Sequence, residues 1–378
     1  MSTLYFHIGM PKTGSTSIQA YFDDNRERVR ETGLAYASLP TANHNPFVES
    51  QFRQPRAKID ASLIARNHRQ YVENREEILK SFLAEMESVA AEGSDALVSA
   101  EMGSSFTAEE LVEMRETVGM FDRMVSLAFV RPPRAWVRSS CQQSLQLGMT
   151  MRDFLTRPRR PRYRRFFGPH DEVLGKDLRL VMFHPSTMKD GCILQTLLSM
   201  MDRDFSALAA DRAPRANESI SLTAAKILSI VNAAYQQKAI PAGLPKAVDA
   251  PLRSGHLGRC FAEAFAKAAP GGRLPSAAAR VLTSIKGPGF ALPVEVEEAA
   301  MQMATGDLRW MSKRLGVDIT TYDTNSAAPI DMASFETLSE DEAEAIATAL
   351  ERINEADGRP GRLKAMEHGE VVESARGR

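Results

Sequence analysis

Four short apolar runs interrupt an otherwise amphipathic chain. They are Thr3–Gly9 (TLYFHIG), Ala96–Glu101 (ALVSAE), Met124–Arg131 (MVSLAFVR) and Leu178–His184 (LRLVMFH). Each is too short for a typical helix and rich in β-branched or other apolar residues, so each reads as a buried strand. Stretches of helical period lie around them: Thr16–Asp24, Tyr71–Ala91, Ala108–Val118 and Pro133–Leu147. In Tyr71–Ala91 the apolar positions are Val72, Ile78, Leu79, Phe82, Leu83 and Met86, with charges on the other face. Strands alternating with helices predict an α/β fold, a three-layer α/β/α domain around a parallel sheet.

After His184 the pattern turns helical. Cys192–Met201, Leu222–Gln237, Val248–Ala268, Val294–Ala304 and Asp307–Leu315 are expected as helices, broken by prolines and glycines around Pro241, Pro270–Gly272 and Gly287–Pro288. Glu340–Glu355 is a further amphipathic segment, with Ser339 placed to cap it. The expected organisation is one domain over residues 1–320, with a sheet core at 1–190 and a helical part at 191–320. An extension at 321–378 carries one helix and a polar tail from Asp357.

Composition narrows the classes. Of 378 residues, 43% are hydrophobic and 25% charged, which is ordinary for a globular protein. A formal net charge of -1 favours neither nucleic acid nor an anionic membrane, so any attraction for anions must be local. The N-terminus lacks a signal-peptide pattern, and no apolar run is long enough to span a bilayer. Cys141, Cys192 and Cys260 form neither a disulfide framework nor a zinc site. Reduced thiols and a cytoplasmic location are expected, with no metal.

The most informative transition follows the first strand: His7-Ile8-Gly9-Met10-Pro11-Lys12-Thr13-Gly14-Ser15-Thr16-Ser17. Gly14 permits a tight turn. A helix then opens, and its free backbone N–H groups and partial positive charge suit a phosphate or sulfate. Lys12 adds a full charge, and Thr13, Ser15, Thr16 and Ser17 add hydroxyls. A nucleotide-kinase loop has the pattern G-x-x-x-x-G-K-[ST]. Gly9 and Gly14 have that separation, but Ser15 stands where the lysine belongs.

A second constellation ends the third strand. Arg131 sits at the C-terminal edge of a parallel strand, where open α/β sheets bind ligands. Pro133 suits a first helical turn, and Ser139 lies about two turns along the helix.

Lys12 before Gly14, with the hydroxyl run after it, resembles the 5′-phosphosulfate loop of sulfotransferases that use 3′-phosphoadenosine 5′-phosphosulfate (PAPS). Arg131, Pro133 and Ser139 resemble that family's second signature, R-x-P-x5-S, whose arginine and serine hold the 3′-phosphate. Trp136 stands where the family often has a further basic residue. Arg215–Ser221 and Asp307–Met311 are similar to later segments of bacterial carbohydrate-type members. The resemblance covers roughly residues 1–318 and implies a P-loop-like fold. It further implies PAPS as donor, 3′,5′-ADP as product, and a hydroxyl-bearing acceptor, a glycan among the candidates. Lys12, Thr13, Gly14, Ser15, Thr16, Ser17, Arg131 and Ser139 are then the donor-binding residues.

Sulfuryl transfer also needs a group to take the acceptor proton and one to neutralise the leaving oxygen. Lys12 suits the second role. Glu101, at a strand end with the Ser-x-Glu ending of glycan-type members, and His44, in the loop Thr41-Ala42-Asn43-His44-Asn45-Pro46, are the alternatives for the first. The run Arg152, Arg157, Arg159, Arg160, Arg162, Arg164 and Arg165 is either a basic lip for an anionic acceptor or a solvated loop. Pro158 and Pro161 argue against a helix presenting one basic face. A kinase-like nucleotide enzyme and a non-catalytic PAPS-binding protein are the competing readings.

Overall fold

A computed structural model of the chain describes residues 1–10, 12–208, 219–266, 274–322 and 328–355. The tail from Asp357 and most of Arg215–Ser221 lie outside the described residues.

Five strands form one sheet: β1 (Thr3–His7), β2 (Leu34–Tyr36), β3 (Asp95–Ser99), β4 (Arg123–Val130) and β5 (Leu178–Met182). All pairings are parallel, and the spatial order is β2-β3-β1-β4-β5. Burial of every residue of β1 explains its run of apolar side chains on both faces. The registers Tyr5↔Leu97 and Tyr5↔Val125 set β3 and β4 on either side of it. The chain thus builds β2 and β3 to one side of β1 and β4 and β5 to the other. Such a reversal is where open α/β sheets bind ligands, here at the C-terminal end of β1.

Helices cover both faces, giving the three-layer α/β/α arrangement. On one face Tyr5, Leu97, Val125 and Phe129 share a core with Ile18, Tyr21 and Phe22 of α1 (Ser15–Asp24). Leu194, Leu197 and Leu198 of the helix Ile193–Ser199 complete it. Phe22 is fully buried there, so Phe22→Ala removes about 3–5 kcal/mol of stability. On the other face Phe6 meets Phe106 at 6.0 Å between ring centroids, and His170 of the helix Tyr163–Leu174 at 6.3 Å.

Tertiary contacts divide the chain into two units that are discontinuous in sequence. The first comprises Met1–Pro133, Pro161–Asn217 and Thr305–Asp323, and holds the sheet. The second comprises Arg134–Arg160, Glu218–Ala304 and Thr324–Arg378. Its described residues are largely helical. Leu222–Gln237 is capped by Ser221, whose hydroxyl accepts from Ala224 N at 3.0 Å, and Glu340–Glu355 starts with a reciprocal Ser339–Glu342 capping box. Lys226, on the first of these helices, ion-pairs with Glu342 on the second at 2.7 Å, and both are buried.

The helix boundaries differ from expectation in two places for opposite reasons. The expected helix Val248–Ala268 is two, Lys246–Arg253 and Gly255–Ala266, because Gly255 turns left-handed at φ +59. The expected pair Val294–Ala304 and Asp307–Leu315 is one helix, Val294–Leu315; a single interior glycine, Gly306, costs about 1 kcal/mol, too little to end 22 residues. The arginine stretch is divided. Met151–Thr156 and Tyr163–Leu174 are helical, and Pro158 and Pro161 fall in the link. Arg164 and Arg165 therefore lie on a helix, with Arg164 N bonded to Asp307 at 2.9 Å. Among the described residues no helix is long and apolar enough to cross a membrane.

Candidate functional site

The loop after β1 closes on itself before α1 begins. The Thr13 hydroxyl donates to the Met10 carbonyl at 2.6 Å, so it is occupied within the loop. Lys12 takes φ +74, a left-handed conformation uncommon for a residue with a side chain. Gly9 and Gly14 are also left-handed. A Cβ on Gly9 would stand 2.8 Å from Ser15 Oγ and 3.1 Å from Glu101 Cγ, so the loop and the end of β3 meet at that glycine. A Cβ on Gly14 would stand 2.7 Å from the Ile193 side chain.

Gly14 is the N-cap of α1 and supplies no side chain to its free N–H groups. A helix start without a side-chain cap, at the C-terminal end of β1, carries N–H groups and a partial positive charge of the kind that suits an anion. Ser15 is 1% exposed, and its Oγ faces the Glu101 carboxyl without a hydrogen bond of good geometry. Thr16 is exposed, and Ser17 is buried one step further along α1.

Two more strand ends supply charge. Glu101 opens a 3₁₀ turn, Glu101–Ser105, directly after β3. Burial pushes its carboxyl above the ordinary range, while the Ser15 hydroxyl and the Lys12 charge pull the other way. Burial likewise pushes the Lys12 ammonium down, opposed by Glu101 and reinforced by Arg131. Arg131 follows β4, and its Nη1 donates to the Lys12 carbonyl. The guanidinium lies over the Phe183 ring at 5.8 Å. Its own backbone is held by the Tyr163 hydroxyl, which donates to the Arg131 carbonyl at 2.7 Å. Lys12, Glu101 and Arg131 therefore share one electrostatic neighbourhood at the C-terminal edge of the sheet.

His44 has a different setting. It is fully buried, and its ring stacks on Tyr36 of β2 at 4.4 Å between centroids. Its Nδ1 accepts from Ser99 N at 3.1 Å, and its own N–H donates to the Ser99 carbonyl at 3.2 Å. Burial first, and the Arg26 charge second, push its pKa down to about 3, opposed by the nearby Ala37 carbonyl. It is a neutral ring in the core. Ser139 lies half-buried on the helix Pro133–Gln146, in the second unit.

Sequence reasoning missed several neighbours. His7 ends β1, fully buried, with Nδ1 2.8 Å from Ser99 Oγ and Nε2 unpartnered; burial lowers its pKa to about 4. The signal was a histidine inside an apolar strand, which needs a partner. Gln19 spans α1 and β3, donating to the Ser99 carbonyl at 3.2 Å. Phe183, beside Gly14 and Arg131, gave no signal beyond its apolar character.

No family model, curated protein or solved structure matches the chain.

Proposed function

We propose that this chain is a PAPS-dependent sulfotransferase that moves a sulfuryl group to an acceptor hydroxyl. The observation that carries the reading is the meeting of Lys12, Glu101 and Arg131 around a helix start without a side-chain cap, with the Ser15 hydroxyl buried beside them. Cations and N–H groups suit the 5′-phosphosulfate, and Arg131 suits the 3′-phosphate. In the transfer, the acceptor oxygen bonds to sulfur as the bond from sulfur to the phosphate oxygen breaks, leaving 3′,5′-ADP. Glu101 takes the acceptor proton, and its raised pKa brings it nearer to working pH than an ordinary carboxylate. Lys12 neutralises the charge that grows on the leaving oxygen. A glycan hydroxyl is the acceptor class to try first. The free thiols Cys141, Cys192 and Cys260 fit a cytoplasmic setting.

The test is ligand-dependent melting together with label transfer. PAPS and 3′,5′-ADP should raise the Tm without magnesium, as any ligand selective for the native state must. A Tm raised only by ATP with magnesium would point to the kinase-like reading instead. Nucleotide binding without label transfer to any acceptor would point to a binding protein.

A further inference from the structure

Glu101 is useful to the reaction only if its carboxyl is held at the loop, and it opens a short turn in which the Ser104 hydroxyl donates to the Glu101 carbonyl at 2.7 Å and the Ser105 hydroxyl to the Met102 carbonyl at 2.8 Å. Further hydrogen bonds, to the chain on either side of Glu101, come from another segment. The His44 ring accepts from Ser99 N at 3.1 Å, two residues before Glu101. The His44 N–H donates to the Ser99 carbonyl at 3.2 Å, so both backbone groups of Ser99 are gripped by one residue. The next residue, Asn45, reaches one step past Glu101: its Oδ1 accepts from Met102 N at 2.9 Å. Asn43 closes the set from the side of the donor loop, its Oδ1 accepting from Gln19 Nε2 of α1 at 3.4 Å and from Asn45 N at 3.0 Å.

We infer that His44 and Asn45 are positioning residues for Glu101, gripping the chain on both sides of it so that its carboxyl stays against Ser15 and Lys12. This rests on the proposed role of Glu101. It assigns the His44 ring a structural acceptor, Nδ1, rather than a proton-transferring nitrogen. The far side of the turn is held independently. His170 Nε2 is 2.9 Å from the Gly103 carbonyl, and Gly103 presses so closely on Phe6 that a Cβ there would stand 2.3 Å from the ring. The groups facing the Glu101 carboxyl are Lys12 and the Ser15 hydroxyl; those facing the His44 ring are Arg26, Tyr36 and the Ala37 carbonyl.

The chemistry of the grip gives a discriminating pair of variants. In His44→Asn the Oδ1 stands at the δ position that Nδ1 occupied, so it can accept from Ser99 N while removing the imidazole. His44→Ala removes both. If His44 positions, His44→Asn keeps turnover within about fivefold. His44→Ala loses about 10²-fold in kcat with donor affinity kept, the scale of a misplacement of about 1 Å. Asn45→Ala, at a half-exposed position that need not disturb the core, should lower kcat in the same direction. In a Glu101→Gln background His44→Ala should add almost nothing.

A second readout does not depend on turnover. The Glu101 carboxyl can be followed by carbon-13 NMR, assigned by its absence in Glu101→Gln. In His44→Ala and Asn45→Ala its titration should move down toward the ordinary glutamate value as the turn loosens and water reaches it; in His44→Asn it should stay. If His44→Asn folds and loses as much activity as His44→Ala, the ring itself does chemistry and the inference is wrong. It is equally wrong if the Glu101 titration does not move in Asn45→Ala. If Glu101→Gln keeps full turnover while the titration moves as expected, the positioning stands and the assignment of Glu101 as base fails. Should His44→Ala not fold, His44→Asn and Asn45→Ala still decide the matter.

Discussion

Two lysine–glutamate pairs, one in each unit, use the same chemistry to opposite ends. Lys226 and Glu342 are buried and close. Their charged atoms are 2.7 Å apart, Lys226 also donates to the Thr337 carbonyl at 2.8 Å, and Glu342 accepts from Ser339 N at 2.9 Å. Every charge there has a partner, and the pair joins two helices. Lys12 and Glu101 attract one another across the loop, yet among the described residues neither closes a salt bridge. Burial still shifts both toward their neutral forms. A satisfied pair is a fastening. The pair at the loop is not closed, and it lies next to the buried Ser15 hydroxyl and the left-handed Lys12 backbone, the setting in which shifted groups do chemistry under the proposed function.

The sharpest way to break this comparison is to neutralise Glu101. Glu101→Gln keeps the shape and removes the proton acceptor. The transfer rate should fall by about 10²–10⁴-fold while binding of 3′,5′-ADP is retained, read by single-turnover label transfer and calorimetry. Lys12→Ala should abolish measurable transfer in the same assay. Near-normal rates in Glu101→Gln would return the base to another residue.

The fastening should respond in stability. Lys226→Met leaves Glu342 buried without its partner and should cost about 3–5 kcal/mol, read by urea denaturation. Adding Glu342→Leu should recover much of that loss, because the unpaired charge is then gone. A Lys226→Met protein as stable as the native one would mean that the pair is hydrated and fastens nothing.

Arg131 lies between these extremes, since it serves both the fold and the site. Arg131→Ala should weaken binding of 3′,5′-ADP by about 1.5–3 kcal/mol, the worth of a charge-assisted hydrogen bond. It also releases the Lys12 carbonyl, so some loss of loop order accompanies it. Unchanged nucleotide affinity would remove Arg131 from the donor site.

The two sides of the site differ in how far they can be read from the chain. The loop side is local. Gly9, Lys12, Gly14 and the hydroxyls follow one another within nine residues, and the strand before them and α1 after them have clear periods. What the pattern could not convey is that Thr13 uses its hydroxyl inside the loop and Ser15 buries its own. The Glu101 side is assembled from distant segments. What the chain does not reveal there has one origin: β2 is three residues long, too short to show alternation. Without β2 there is no Tyr36 ring at the sheet edge, and Thr41–Pro46 reads as a loop that offers His44 as a candidate base. With Tyr36 in place, His44 stacks on it and enters the core.

The smallest effect is also the most direct measure of the difference between the pairs. The Glu101 carboxyl has its pKa raised in the folded chain, above an ordinary value of 4.5. The folded state therefore holds the proton more tightly than the unfolded one. The stability that this contributes is fully present below about pH 4.5, where both states are protonated, and is lost as pH rises through the folded pKa. At neutral pH the charged carboxyl is a net burden, because desolvation outweighs the help of Ser15 and Lys12. Glu101→Gln should then gain stability relative to the native chain as pH rises from 4.5 toward 7, by less than any effect above. Glu342→Gln should be less stable than the native chain at neutral pH, since it breaks a made pair. Paired melting curves at several pH values read the sign of each. If both variants lose stability at neutral pH, Glu101 is fastened as Glu342 is, and the contrast between the two pairs falls.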